Sequence, residues 1–326
     1  MESRPHHLKR QKFPHAPAPG LPPGLWVVAT PIGNLSDLTE RARVALQQAR
    51  WIACEDTRRT RALLSALQIS ASIEGQGDRL RRFDRHASPE VAQEWIRELV
   101  HSGASMAVVS DAGTPSISDP GAQLVRAAVE AGVQVTPVPG PSAVVALLSA
   151  CGWPEADSFC FQGFIPRSQD VVGNSIDRFR KWAESSGRAW VSVWFESPER
   201  IEESLQTIRE SLSGAPRVDL VVCKELTKVH EKFFRGDPDQ VLLQVREELQ
   251  CEGKLGEWSL AIRFPALDAT RGNAASESAW LPALECLVDA GVKASECARI
   301  LSHRFGVSRD EAYSRATNFK KNQRGG

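Results

Sequence analysis

The chain has 326 residues, room for about two domains, and its hydrophobic and charged shares, 42% and 25%, are those of a folded globular protein. Lys plus Arg and Asp plus Glu are equal at 40 each, so no overall charge draws the chain to nucleic acid or to a membrane surface, and a polyanion must be met by a local patch. Seven cysteines, an odd number with no Cys-x-x-Cys pair, fit the reduced thiols of a cytosol and indicate neither a zinc site nor a disulfide frame.

Residues 1–24 are rich in Pro, His and basic side chains without an apolar run, which predicts a disordered arm and excludes a secretory signal. From residue 25 strands and helices alternate. LWVVAT (25–30) is an apolar run broken at Pro31 and Gly33, and residues 38–49 place Leu38, Ala42, Ala45, Leu46 and Ala49 at helical spacing. WIACE (51–55) predicts a second strand, and residues 89–103 an amphipathic helix closed by Gly103. A strand at 105–110, a helix at 121–132, a strand at 133–139 and a helix at 141–151 follow. Strands apolar on both faces, alternating with helices, predict an α/β fold whose parallel sheet is covered on both sides, over 25–152. The longest apolar stretch, 143–150, is well short of the roughly 18 residues a membrane span needs.

A second α/β domain is expected over 156–265, with strands at 189–196 and 217–225 and helices at 198–212 and 237–249. GEWSLAIRF (256–264) alternates like a strand with one wet face, so this sheet is expected to be mixed. Residues 266–278 read as a small-polar linker, and 279–326 as a tail of two or three short amphipathic helices.

Open parallel sheets bind ligands outside the carboxyl ends of their strands. Four loops rich in small residues fall there: TPIGNLSD (30–37), EDTRRT (55–60), SDAGTPSISDPG (110–121) and PGPSA (139–143). Any one of them would pass as ordinary turn chemistry; four in series would not. Neither a G-x-x-x-x-G-K-[ST] phosphate cradle nor a G-x-G-x-x-G fingerprint is present. Asp111 and Asp119 would repel phosphate but suit an ammonium, a sulfonium or ribose hydroxyls, which points to a cationic, nucleoside-bearing ligand. S-adenosylmethionine carries all three groups.

The same residues carry a family resemblance. VVATPIGNLSDLTERA (27–42), ACEDTRRTRALL (53–64), VVSDAGTPSISDPG (108–121), VTPVPGPSAVVALLSACG (135–152), FQGFIPR (161–167), WFESPERI (194–201), KELTKVHEKFFRG (224–236) and GEWSLAIR (256–263) resemble the ribosomal RNA small subunit methyltransferase I family, within the tetrapyrrole methylase superfamily. The resemblance implies a two-domain methylase fold that transfers a methyl group from S-adenosylmethionine to the ribose 2′-hydroxyl of a decoding-region cytidine in 16S rRNA. It also implies a homodimer acting on rRNA of the small ribosomal subunit; the sulfonium is already a good leaving group, so no metal is expected, and the reduced thiols and short apolar stretches point to the cytoplasm and away from a membrane. By the same resemblance Pro31, Gly33, Asp111, Gly113, Thr114, Ser142, Ala143 and Leu226 are cofactor residues. Three positions depart from the family pattern: SQDVVGNSIDRF (168–179) lacks the expected lysines, Glu199 stands where His is usual, and Ala87 where Asn is expected. The departures spare the cofactor loops and fall on expected RNA contacts.

A ribose hydroxyl is a weak nucleophile, so a general base within hydrogen-bond reach would help. Glu55, Asp56 and Glu196, each at a predicted strand end, are the candidates, and Asp56 is equally placed to cap the helix that starts at DTRRT. RNA contacts are expected from the arginine-dense stretch Arg58, Arg59, Arg61, Arg79, Arg81, Arg82, Arg85 and His86, with Phe83 either stacking a base or joining the core. Two other readings stay open: a methylase of a small tetrapyrrole precursor, which needs no arginine patch, and a DNA-binding protein if the tail is a helix-turn-helix.

Overall fold

The computed structural model describes residues 21–75, 77–117, 119–154, 158–212, 218–266, 277–289, 292–305 and 307–324. The expected arm up to residue 20 and the expected linker from 267 to 276 lie outside them. Contacts divide the chain into two compact units: one runs to Ala146 and includes Thr227–Val229, and the other holds Leu147–Leu226 and the chain from His230 onward.

The first unit carries β1 (Gly24–Val28), α1 (Glu40–Gln48), β2 (Trp51–Cys54), α2 (Thr57–Ala66), the two-residue strands β3 (Ser72–Ile73) and β4 (Gly77–Asp78), β5 (Leu80–Arg82), α3 (Pro89–Ser102), β6 (Ser105–Val109), α4 (Gly121–Glu130) and β7 (Val135–Val138). Its main sheet has the order β5-β2-β6-β1-β7, every pair parallel. Period-two geometry sends alternate residues to opposite faces. Val28, Ile52, Cys54, Ala107 and Val109 meet α1 and α2 through Ala42, Ala45, Leu46 and Leu64. Leu25, Trp51, Ala53, Met106 and Val108 meet α3 and α4 through Ala92, Ile96, Leu99 and Leu124. Both faces are dry, which is why these strands read as unbroken apolar runs. Gly103 closes α3 in the left-handed conformation, φ 59°, as its place in the sequence predicts.

The boundary between the units falls in α5 (Ala143–Ala150). The second unit then carries β8 (Phe159–Phe164), α6 (Gln169–Ser186), β9 (Trp190–Glu196), α7 (Ile201–Ser211), β10 (Asp219–Lys224), β11 (Lys232–Gly236), α8 (Pro238–Glu252) and β12 (Trp258–Phe264). Its sheet has the order β11-β10-β12-β9-β8 and is mixed: β8 and β9 run parallel and the other pairs antiparallel. Helices α6, α7 and α8 cover one face, packing Ile176, Phe179, Leu205, Ile208, Val241 and Val245 against Trp194, Leu220, Trp258, Leu260 and Ile262. The expected wet face of β12 is a misreading. Ser259 and Ala261 are buried as fully as their neighbours, because β12 is the middle strand and its cross-strand partners Val193 and Val221 are also dry. From Trp258 to Ile262 what alternates is side-chain size, not exposure, and Arg263 near the strand's end is partly exposed.

The tail folds as α9 (Glu277–Asp289), α10 (Ala294–Phe305) and α11 (Arg309–Arg324), closed around Trp280, Leu284, Cys297, Leu301, Ala312 and Ala316. Among the described residues no helix is long and apolar enough to cross a membrane.

Candidate functional site

At the carboxyl edge of the parallel sheet, three loops are tied into one surface. Thr30, after β1, and Gly113, after β6, exchange backbone hydrogen bonds of 2.9 and 3.1 Å as an isolated antiparallel bridge. Thr30 is buried, and its Oγ1 donates to the Ser110 carbonyl at 3.4 Å. Thr114 Oγ1 donates to the Pro141 carbonyl at 3.0 Å, which fastens the β6 loop to the β7 loop. Gly113 sits at φ 81°, and a Cβ there would lie 3.3 Å from Ile32 Cγ2, so both its conformation and the close approach of the first loop call for glycine. A Cβ on Gly140 would stand 3.0 Å from that of Ala29. The glycines and prolines of these motifs are thus what lets the loops touch. Pro31, Ser142 and Ala143 stay half-buried and Gly33 exposed along the same edge, with Ser142 accepting the Ala146 N–H at the start of α5.

Beside this surface lies a group of carboxylates. Asp111 Oδ1 accepts the Asp56 N–H at 3.2 Å, and its Oδ2 lies 3.3 Å from the Arg59 guanidinium, so Asp111 clamps the turn after β2 to the turn after β6. Glu55 is half-buried in that turn. Burial, and then the negative charges of Asp111, Asp119 and Asp84, push its pKa above the ordinary glutamate value, with Arg59 opposing them. Asp119 Oδ1 accepts the Gly121 N–H at 2.7 Å. Its Oδ2 and the Ser116 hydroxyl are buried without a hydrogen-bond partner, and Ser116 is held at φ 72°. Buried oxygens of this kind are costly unless something donates to them. An edge with acceptors waiting and acids on its rim suits a ligand bearing an ammonium or sulfonium and hydroxyls, and the residues present therefore fit S-adenosylmethionine and not a phosphate group.

Two of the three candidate bases are otherwise employed. Asp56 accepts the Arg58 N–H at 2.8 Å as the N-cap of α2 and pairs with the Arg58 guanidinium at 2.7 Å; those bonds hold its carboxyl far below the usual range, and it serves as a cap. Glu196, in the second unit, has a side chain 1% exposed. Its carboxylate accepts from Ser197 N at 2.7 Å and Ser204 Oγ at 2.6 Å and pairs with Arg200 at 3.2 Å, while Arg200 also donates to the Ile165 and Pro166 carbonyls. Glu196 therefore joins β9 to α7 and to the G-F-I-P-R turn, its carboxylate already filled by donors. Leu226 is also buried in the second unit, between Glu225 at φ 55° and Thr227 at φ 67°, two left-handed residues that disfavour side chains.

The arginines sort in the same manner. Arg79 is a core residue: buried, it donates to the carbonyls of Leu46, Ala49 and Ser70 and closes the end of α1, so it offers nothing to RNA. Arg81 grips Glu98 with both guanidinium nitrogens and lies 4.2 Å from the Trp51 ring centroid, a structural post. Phe83 is core, 2% exposed, its ring 5.5 Å from that of Trp95. Arg58, Arg59, Arg61 and Arg82 pair with Asp56, Asp111, Asp78 and Asp84 yet keep half or more of their side chains exposed, and Arg85 and His86 are exposed beside them. The Cys54 thiol next to Glu55 is pushed up to about 11 by burial and is no nucleophile. Thr30, Ser110 and Asp84 were not singled out by sequence reasoning; Thr30 and Ser110 sit at the ends of apolar strands, inside the very motifs that were.

The comparisons with known proteins agree with this geometry. Residues 24–241 match the tetrapyrrole (corrin/porphyrin) methylase family. The ribosomal RNA small subunit methyltransferase I of Mycobacterium bovis is 37% identical over 87% of this chain and 91% of its own length. The proteins of that name in Vibrio cholerae and Xylella fastidiosa are 44% and 41% identical, over 64% and 72% of this chain and 67% and 80% of theirs. With bridged loops, an acid-lined strand edge and identity sustained over most of both chains, the protein belongs to the tetrapyrrole methylases and, among them, to the ribosomal RNA small subunit methyltransferase I family.

Proposed function

We propose that this protein transfers a methyl group from S-adenosylmethionine to the ribose 2′-hydroxyl of a cytidine in 16S rRNA of the small ribosomal subunit, as a cytoplasmic homodimer. The observation that carries the reading is Glu55: a half-buried carboxyl, raised in pKa, beside the bridged loops of a chain whose relatives are named for rRNA methylation. S-adenosylmethionine, when bound, supplies a methyl group already activated on a sulfonium. Pro31, Gly33, Gly113, Thr114, Ser142 and Ala143 would hold it at the loop surface, and the Asp119 and Asp111 side would favour its positive charge.

Glu55 accepts the proton of the incoming ribose hydroxyl. Burial and its neighbouring acids raise its pKa and make it a stronger base than a free glutamate, and Arg59 opposes that rise. Asp111 fixes the turn on which Glu55 stands, so the geometry is set before the substrate arrives. Arg58, Arg59, Arg61, Arg82, Arg85 and His86 would meet the phosphates around the target. A small tetrapyrrole substrate would leave those cations without use.

The test is incubation with labelled S-adenosylmethionine and small subunits lacking the modification. Label mapped to a ribose, with transfer weakening steeply as salt rises, is the expected result. Label on a base, label on no RNA, or salt-insensitive methylation of a tetrapyrrole precursor would reject the proposal.

A further inference from the structure

Helix α6 feeds Val172, Ile176, Phe179 and Ala183 into the core of the second unit, but Trp182 does not follow them and keeps 37% of its surface exposed. The indole is propped from below. It stands edge-on to Phe179 at 5.1 Å and against Trp190 at 5.2 Å, and Phe179 stacks in turn on Phe264 at 5.7 Å. Ser186 Oγ bonds both the Trp182 carbonyl and the Trp190 indole, at 2.6 and 3.1 Å, which locks the pair. A flat, rigid ring is thereby held at the surface.

Its surroundings are basic. The Arg178 guanidinium lies 6.0 Å from the Trp182 centroid, and Arg178, Lys181 and Arg188 are all exposed. At ~100° per residue Arg178 falls ~40° from Trp182 around the helix, whereas the acid Glu184 falls ~200° away. Asp177 is engaged by Arg180 at 2.8 Å. Beyond Arg178, which lies within 168–179, the chain places further positive charge at Lys181 and Arg188.

An exposed aromatic ring edged by arginine and lysine is the combination that binds unpaired nucleic acid, the ring taking a base face and the cations the phosphates. We propose that Trp182, with Arg178, Lys181 and Arg188, stacks an unpaired base of the RNA substrate and grips the strand on either side. The proposal rests on the rRNA reading above. The patch on α6 and β9 contains none of the residues assigned to methyl transfer, so it is assigned to substrate grip.

Three variants test it: Trp182→Ala, Trp182→Phe, and the double reversal Arg178→Glu with Lys181→Glu, which changes only exposed side chains and leaves the core alone. Each is assayed for kcat and KM on unmodified small subunits, for Kd with a single-stranded 16S rRNA fragment, for melting, and for mass by sedimentation. Trp182→Ala should raise Kd and KM about tenfold with kcat at saturation retained, and Trp182→Phe should restore most of the affinity. The double reversal should lower the slope of log affinity against log salt by about two phosphate contacts. Unchanged KM and Kd in folded variants, with wild-type enzyme still labelling rRNA, overturn the platform alone. Variants that fall to half the wild-type mass, with weaker binding only as a consequence, overturn it in favour of a second copy of the chain. Wild-type enzyme that labels no RNA removes the functional reading and the platform together.

Discussion

Glu55 and Glu196 both end strands, one in each sheet, and they come to opposite uses. Glu55 stands after β2, where the following helix is capped by Asp56 and sets only Arg59 against the surrounding charges of Asp84, Asp111 and Asp119. Glu196 stands at the end of β9, where α7 presents Arg200 and Ser204 directly to it and fills its carboxylate. A strand end supplies the position, and the next helix decides whether the residue is left for chemistry. The spacing that betrays Glu196, an arginine four residues on and a serine eight on, was already visible in ESPERIEES.

The comparison is broken most forcefully by the same substitution at both places. Glu55→Gln should lower kcat by about 100-fold or more while denaturant melts stay at wild type, since a general base is lost and no packing is disturbed. Glu196→Gln should do the reverse. It strips the charge from a buried pair whose arginine is 27% exposed, so a loss of about 2 kcal/mol of stability is expected, below the full cost of a wholly buried pair, with kcat per folded molecule retained. Equal effects of the two on kcat, measured on folded enzyme, would erase the distinction.

A smaller effect sharpens the arginine side. Arg85→Ala removes an exposed cation and should weaken RNA binding about threefold, lowering the salt slope by about one, with melting unchanged. Smallest in size but most specific are two shifts in pH dependence. Glu55 must be ionised to act, so its rate falls as pH drops through its raised pKa. Asp111→Asn takes away a charge that raises that pKa and should move the acid limb of kcat to lower pH, while Arg59→Gln takes away the opposing charge and should move it higher.

Much of this was legible in the sequence. The apolar runs of β1, β2 and β6 and the caps at Asp56 and Gly103 stand where pattern and propensity put them. The loops of the site were legible too, because touching loops demand glycine and proline at fixed places. β5 was not: three residues, two of them arginines, resemble a charged loop, and only the register beside β2 makes them a strand. Nor could Arg79 be told from Arg82, three residues apart in one basic run. One points into the carbonyls at the end of α1 and the other into solvent, a choice fixed by the pleat and by what lies under it. β8 and α6 were missed because an edge strand with every residue partly exposed lacks a dry run, and α6 begins in polar residues.

The most direct measurement is kcat against pH, at saturating substrates, for wild type and Glu55→Gln. The account predicts a wild-type rate that falls on the acid side with a midpoint above the ordinary glutamate value of 4.5, and a variant that is slow throughout and lacks that limb. A Glu55→Gln enzyme that keeps the wild-type rate and the same acid limb would contradict it.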